Sequence, residues 1–234
     1  MTSLAGPPPG GRLPVVWHES YEVDIGPHVF PTAKYRLVRQ RLMGERAPVE
    51  FHRPTPATDA EVLLVHTSAY VSKILEDRLS PAERLTLEVP FSPELRDASW
   101  LCAGGAALTA RLALRHGVAV HLGGGFHHAY PDHGEGFCLI NDVAVSIRVL
   151  QRAGAIARAM VVDCDVHHGN GTAAVFAGDE SVFTFSIHQE HNYPADKPPS
   201  DVDVGLDDGV GDRDYLAALA AHIPAALDRH RPDL

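Results

Sequence analysis

The chain has 234 residues, 45% apolar and 21% charged, with a formal net charge of −10 at pH 7, long enough for one large or two small domains with a sizeable core. No run reaches the roughly 18 apolar residues of a membrane-spanning helix, and an acidic balance without a basic stripe argues against direct nucleic-acid binding. The acidic surface suits a basic partner such as a Lys-rich peptide or a polyamine, and serves solubility equally well. In chain order, residues 1–12 are rich in Pro and Gly and read as a disordered lead-in, with residues 13–234 as the folded domain. Leu13 to Trp17 reads as a strand, and Pro31 opens a helix over Ala33 to Glu45. Thr58 and Glu61 form a capping box before the apolar run Val62 to Val65. Ser68 to Leu79 reads as a helix stopped by Pro81. Ser92 and Pro93 start a long helix that runs to His116 and stops at Gly117.

From there strands alternate with helices. Val118 to Leu122 reads as a buried strand, Asn141 to Ala153 as a helix ended by Gly154, Ala157 to Val162 as a strand, Thr172 to Phe176 as a helical turn and Val182 to Ile187 as a strand. Asn192 to Gly211, rich in Asp, Gly and Pro, reads as one long loop. Asp212 to His230 is helical, with a kink at Pro224. The alternation predicts an α/β fold with a mostly parallel sheet covered by helices on both faces. Cys102, Cys138 and Cys164 lie in apolar stretches with no metal or redox spacing, which suggests a reducing cytoplasm.

Two loops carry the chemistry. The first follows Val118 to Leu122 and holds His127 and His128 behind three glycines. The second follows Ala157 to Val162 and holds Asp163, Asp165 and His167. If strand geometry persists through that triplet, all three side chains leave on one face, beyond the carboxyl ends of the strands, where open α/β sheets bind ligands. Asp and His suit zinc, iron or manganese, and with no Cys pair at metal-ligand spacing the structural-zinc reading is removed. The plain alternative for the D-x-D-x-H pattern is a solvated loop with a satisfied histidine. Adjacent loop residues point different ways, so His127 and His128 are better placed as proton-transfer groups beside a metal-bound water than as paired ligands. Each needs a partner that fixes its tautomer, and Asp163 and Asn170 are available. Gly136, Phe137 and Tyr193 are candidates for the walls of an apolar slot. His18, His133, His188 and His191 have no role that spacing assigns, and Asp201, Asp203, Asp207 and Asp208 read as a solvated loop.

GGGFHH, GFCLINDVAV and VDCDVHHGNGT resemble, in order and spacing, the zinc-dependent histone deacetylase family of the arginase/deacetylase superfamily, in its bacterial branch related to class IV. DIGPHVFPTAKY and VLLVHTSAYV extend the likeness to nearly the whole chain from Leu13 on. The resemblance implies a three-layer arginase/deacetylase-like fold and removal of an acyl group from an amine, acetyl-lysine of a protein above all. An acetylpolyamine or other small acetylated amine is the alternative, and a catalytically inactive binding remnant is the rival of another class. It implies Zn2+, with Fe2+ as the alternative metal, held by Asp165 and His167. His127 and His128 become the catalytic pair, supported by Asp163 and Asn170. Gly136 and Phe137 line the acyl-lysine tunnel with Tyr193 opposite, and a K+ site is built by Asp163, Asp165, His167, Ser186 and Ile187. The likeness also implies a third aspartate ligand and a Gly-Gly-Tyr segment on strands beyond residue 234, so the fold is expected to be incomplete at its C-terminus. Asp233 is not expected to be that ligand, since it precedes the strand.

Overall fold

The computed structural model describes residues 11–234, so the lead-in expected over 1–12 lies, but for its last two residues, outside the described residues. The chain forms two compact units, one running to Leu150 and one spanning Gln151–Leu234. In the first, β1 (Leu13–Val16) is the centre of a three-stranded parallel sheet between β2 (Val49–His52) and β3 (Val120–His121). Pro14, Val15 and Val16 are the buried residues of β1. Because β2 lies on one side of β1 and β3 on the other, the strand order reverses at β1, and a crevice opens at the carboxyl ends of such a pair.

All but the first of this unit's α-helices begin where side chains satisfy their free N–H groups. α1 (Lys34–Gly44) follows Pro31 as expected. The Thr58–Glu61 capping box is present and opens the short α2 (Asp59–Val62). α3 (Ser68–Leu75) ends earlier than expected. Pro81 is no stop signal. It is the first residue of α4 (Pro81–Leu87), which carries a second capping box from Ser80 and Glu83, and proline fits there because its missing N–H would have had no helical partner. α5 (Pro93–His116) starts on the Ser92 cap and ends on Gly117 at φ +82°, a conformation glycine adopts without strain. Its 24 residues make a rod of about 36 Å. A Cβ at Gly105 would strike the Tyr21 hydroxyl and His121, so glycine there lets α5 approach the sheet. Tyr21, Tyr35, Leu101 and Cys102 form a buried cluster, with Trp17, Phe30 and Phe126 packed on it. The expected strand Val118 to Leu122 is shorter than predicted, only β3, and it is half-buried.

The second unit holds a parallel sheet in the order β4 (Ala159–Asp163), β5 (Val182–Gln189), β6 (Val202–Leu206). β6 corrects the single loop expected over Asn192 to Gly211: its Val-Asp-Val-Gly-Leu alternates half-buried and exposed positions, which is the pattern of a strand with one covered face. α6 (Asp142–Arg152) crosses from one unit to the other in sequence. α7 (Asn170–Phe176) follows the second loop, and α8 (Asp212–His230) contains Pro224 as expected. Asp233 lies at the amino end of β4. Its carboxylate accepts the Ala157 and Arg158 N–H groups, its own N–H donates to the Arg158 carbonyl, and Met160 N–H donates to the Leu234 carbonyl. Cys102 and Cys138 are buried, but Cys164 is exposed, because it sits past the end of β4, where the chain has left the sheet.

Candidate metal and proton-transfer site

In the first unit, β3 delivers the chain straight into the loop Gly123–Tyr130, at the carboxyl end of the sheet where the order reverses. Gly124 and Gly125 take φ of +73° and +79°, and a Cβ at Gly124 would land on a carboxylate oxygen of Asp142. The loop then brings His127 and His128 side by side, with ring centroids 4.0 Å apart. This corrects the expectation that adjacent loop residues diverge. His127 N–H donates back to the Gly125 carbonyl, and that tight turn keeps the two imidazoles together. His128 is buried.

Gly136 and Phe137 sit at the tip of a small bridge between Glu135 and Cys138. Both have positive φ, Phe137 at +71°, a strained value for an aromatic residue. The tip is tied down by Gly136 and Phe137 N–H groups donating to the Thr86 and Leu87 carbonyls. The Phe137 ring meets His28 edge-on at 4.9 Å and lies 5.9 Å from Phe30. An apolar pocket of this unit is lined by Phe126 and Phe137 with Tyr21, Phe30 and Tyr35.

In the second unit, β4 ends at Asp163, so strand geometry does not continue through the triplet. Asp163 Oδ1 instead accepts the Asp165 N–H at 3.0 Å, and Asp165 Oδ1 accepts the His167 N–H at 2.8 Å. These local side-chain bonds carry the alternation on after the sheet stops. They bring Asp165 Oδ1 to 3.2 Å from His167 Nδ1, with both side chains substantially exposed. Two ligands of a tetrahedral zinc, each about 2.0–2.1 Å from the ion, lie roughly 3.4 Å apart. The pair therefore fits one divalent ion as two of its ligands. The Tyr193 ring stands edge-on to His167 at 5.8 Å. Asn170 is buried as the first residue of α7. Asp163 pairs with Ser186 across β4 and β5, and Ile187 follows Ser186 fully buried. The five residues of the expected K+ site thus lie on one turn of loop and the adjoining strand.

A second cluster escaped the sequence reading. His168, His188 and Asp203 offer ligand-type atoms that all lie within 4.8 Å of one another. The buried His168 Nε2 is 3.0 Å from Asp203 Oδ1, Ser200 N–H donates to Asp203 Oδ2, and His188 Nδ1 meets Ser186 Oγ at 2.9 Å. The donor set suits a transition metal, but His168 Nδ1 is buried with no hydrogen-bond partner. A metal on Nε2 would force the proton onto that orphan nitrogen, a buried N–H costing about 1–3 kcal/mol. With Nε2–H donating to Asp203, Nδ1 keeps only a lone pair. The cluster is thus a hydrogen-bonded anchor between β6 and the second loop. Asp203 lies on β6 and not in a loop, whereas Asp201 and Asp208 are exposed loop residues as expected, the first accepting from Thr184 and the second from Gln189. Of the other unassigned histidines, His18 accepts the Ser20 N–H, and His133 stacks on Tyr130 and pairs with Asp132.

Asn141, Asp142 and His66 also escaped sequence reasoning. Asp142 accepts the Gly125 and Phe126 N–H groups at 3.1 and 2.8 Å. Asn141 caps α6 through the Ala144 N–H, and its own N–H donates to His66 Nε2. The Asn-Asp pair ahead of an apolar helix was the one available signal.

The histone deacetylase domain model matches residues 28–234. An uncharacterised protein of Picosynechococcus is 41% identical over 95% of this chain and 75% of its own length. A probable deacetylase of Methanothermobacter thermautotrophicus is 32% identical over 88% of this chain and 66% of its own length. Histone deacetylase 8 of Arabidopsis thaliana is 32% identical over 82% and 56%. The chain thus spans between just over half and three quarters of these relatives. Among solved structures, the HDA15 HD domain matches with a TM-score of 0.76 and 26% identity, over 96% of this chain and 70% of that one.

Proposed function

Because the chain belongs to the histone deacetylase domain family, we propose that it hydrolyses the amide of an acylated amine, acetyl-lysine of a protein above all. The observation that carries this reading is the 3.2 Å approach of Asp165 Oδ1 to His167 Nδ1, a spacing suited to two ligands of one divalent ion. Asp165 and His167 would hold Zn2+, or Fe2+ in its place. Such an ion lowers the pKa of a bound water and polarises the scissile carbonyl.

His128 takes a proton from the attacking water, and the histidine pair gives one to the departing nitrogen. The C–N bond breaks, the acyl group leaves as a carboxylate carrying the water oxygen, and the amine leaves as a cation. Asp163 and Asn170 support the pair: a carboxylate stabilises an imidazolium more than a neutral amide does, which separates base from acid. Gly136, Phe137 and Tyr193 line the path of the acyl-lysine stem. Backbone carbonyls of Asp163, Asp165, His167 and Ile187, with Ser186, form a K+ site. A net charge of −10 favours approach of a cationic substrate over an anionic one. No described helix is long and apolar enough to cross a membrane.

The test is hydrolysis of an acetyl-lysine peptide and of an acetylated polyamine by the intact protein, with and without a chelator, beside His128→Ala. Chelator-sensitive acetate release from the peptide that His128→Ala abolishes supports the reading. Faster release from the polyamine moves the substrate to a small amine. Release untouched by chelator and by His128→Ala contradicts it.

A further inference from the structure

His127 and His128 sit on a loop that is clamped on both sides by two consecutive residues of one helix start. Before the pair, Asp142 takes the Phe126 N–H on Oδ1 and the Gly125 N–H on Oδ2. After the pair, Asn141 Nδ2 donates to the Ala129 carbonyl at 3.4 Å, and His66 Nδ1 meets the Tyr130 carbonyl at 3.0 Å. The second clamp is closed by Asn141 N–H donating to His66 Nε2 at 3.0 Å. Asn141, Asp142 and His66 are all buried, at 0%, 1% and 2% of their surface exposed.

The residue type at 142 is what the geometry demands. Two backbone N–H groups converge on one side chain, and only a carboxylate offers two acceptor oxygens and no donor. An amide of the same shape would turn an NH2 group against one of those N–H groups. A carboxylate is an expensive group to bury. Burial pushes that of Asp142 up to about 6, while the N–H groups of Phe126, Gly125, Asp142 itself and Val143 pull it back. The last two belong to the amino end of α6, where the helix dipole favours negative charge. An apolar residue would fill this place at lower cost if packing were the only requirement. The requirement is the path of the backbone at Gly125 and Phe126, one residue before the first histidine. Gly124 answers the same need from the other side, since a Cβ there would displace the Asp142 carboxylate.

We propose that Asp142 is the positioning residue of the histidine pair: by holding the Gly125 and Phe126 amides on its two oxygens it fixes the turn that sets the imidazoles of His127 and His128 side by side. This inference rests on the reading of the pair as the proton-transfer groups. Asp142 touches no substrate itself. Its loss displaces groups that act in the transition state and leaves substrate binding largely as it was.

Asp142→Asn in the intact protein tests this, with Gly124→Ala as a second variant that pushes on the carboxylate without removing it. Each is read by kcat and KM on an acetyl-lysine peptide and by amide hydrogen exchange. The expected result for Asp142→Asn is a fall in kcat of about 100-fold with KM within about threefold, the scale of an ångström-sized misplacement of a reacting group. The Gly125, Phe126 and His127 amides lose protection while those in the body of α5 keep theirs. Gly124→Ala shows the same pattern more weakly. A folded Asp142→Asn protein whose Gly125 and Phe126 amides keep wild-type protection overturns the proposal, as does one that loses protection but keeps its kcat. Should Asp142→Asn not fold, Gly124→Ala with wild-type protection or wild-type kcat overturns it equally. The exchange measurement needs no turnover. Failure of the wild-type protein to release acetate therefore counts against the proposed reaction alone, and intact loop protection in the variants counts against Asp142.

Discussion

Asp165 Oδ1 stands 3.2 Å from His167 Nδ1 while it also accepts the His167 backbone N–H at 2.8 Å. One carboxylate oxygen thus fixes both the main chain and the ring of the residue two positions on.

Asp203 anchors a fully buried His168. Removing it by Asp203→Ala leaves the Nε2–H without its partner, and we expect a loss of about 2–3 kcal/mol in unfolding free energy, the cost of stranding a buried donor that served a charged acceptor. Asp203→Asn keeps an acceptor oxygen for the His168 Nε2–H and turns its NH2 against the Ser200 N–H, whose hydrogen bond is exposed and can pass to water instead, so it is expected to cost less, about 1 kcal/mol. Denaturant unfolding of the two variants checks this. Equal losses would show that the carboxylate, not the hydrogen bond, is what matters there.

His66 predicts a pH dependence of stability. Its Nε2 must stay a bare acceptor for the Asn141 N–H, and burial holds its pKa down to about 4. The unfolded ring titrates near 6.5. Between those values the unfolded chain binds a proton that the folded chain refuses, so this contribution is full above pH 6.5 and is lost as pH falls toward 4, at about 1 kcal/mol per pH unit. His121, hydrogen-bonded to Tyr21 and held near 3 by burial, acts in the same sense. Asp142 acts in the opposite sense: its raised pKa makes the folded chain bind the extra proton between about 4 and 6. Comparing His66→Gln with the wild type isolates one proton. The variant should lose less stability than the wild type between pH 6 and 4.5, by about 1 kcal/mol per pH unit. Parallel curves would contradict the assignment.

Phe137 carries a strained φ of +71° at the tip held to α4, with its ring against His28 and Phe30. As a wall of the acyl-lysine path it should matter to substrate binding. Phe137→Ala is expected to raise KM for an acetyl-lysine peptide by about tenfold, the worth of some 1.4 kcal/mol of lost contact, with a smaller change in kcat. An unchanged KM would remove Phe137 from the path.

Local signals were the legible ones. α5 could be bounded from the Ser92-Pro93 start and the Gly117 stop, because a cap is a matter of neighbouring residues. The Thr58–Glu61 box was readable for the same reason. Pro81 misled, since proline closes one helix and opens another with equal ease, and only the Ser80–Glu83 box distinguishes the two uses. β6 was hidden because Asp203 and Gly205 make a strand look like a loop. The Asp163, Asp165 and His167 triplet was visible as a motif, yet the device that holds it, Asx-type bonds in place of a strand, was not. The anchors of both loops were the least legible. Asp203 meets His168 across 35 residues, and Asp142 meets Phe126 across 16. Nothing in local sequence marks a carboxylate that works at that distance.

The most direct test is the zinc content of the purified intact protein and of its Asp165→Ala, His167→Ala and Asp203→Ala variants, measured after dialysis against a weak chelator. The account predicts that zinc stays with the wild type and with Asp203→Ala, and is lost together with acetyl-lysine hydrolysis in Asp165→Ala and His167→Ala. Undiminished zinc in both of those variants, or its loss in Asp203→Ala alone, would contradict it.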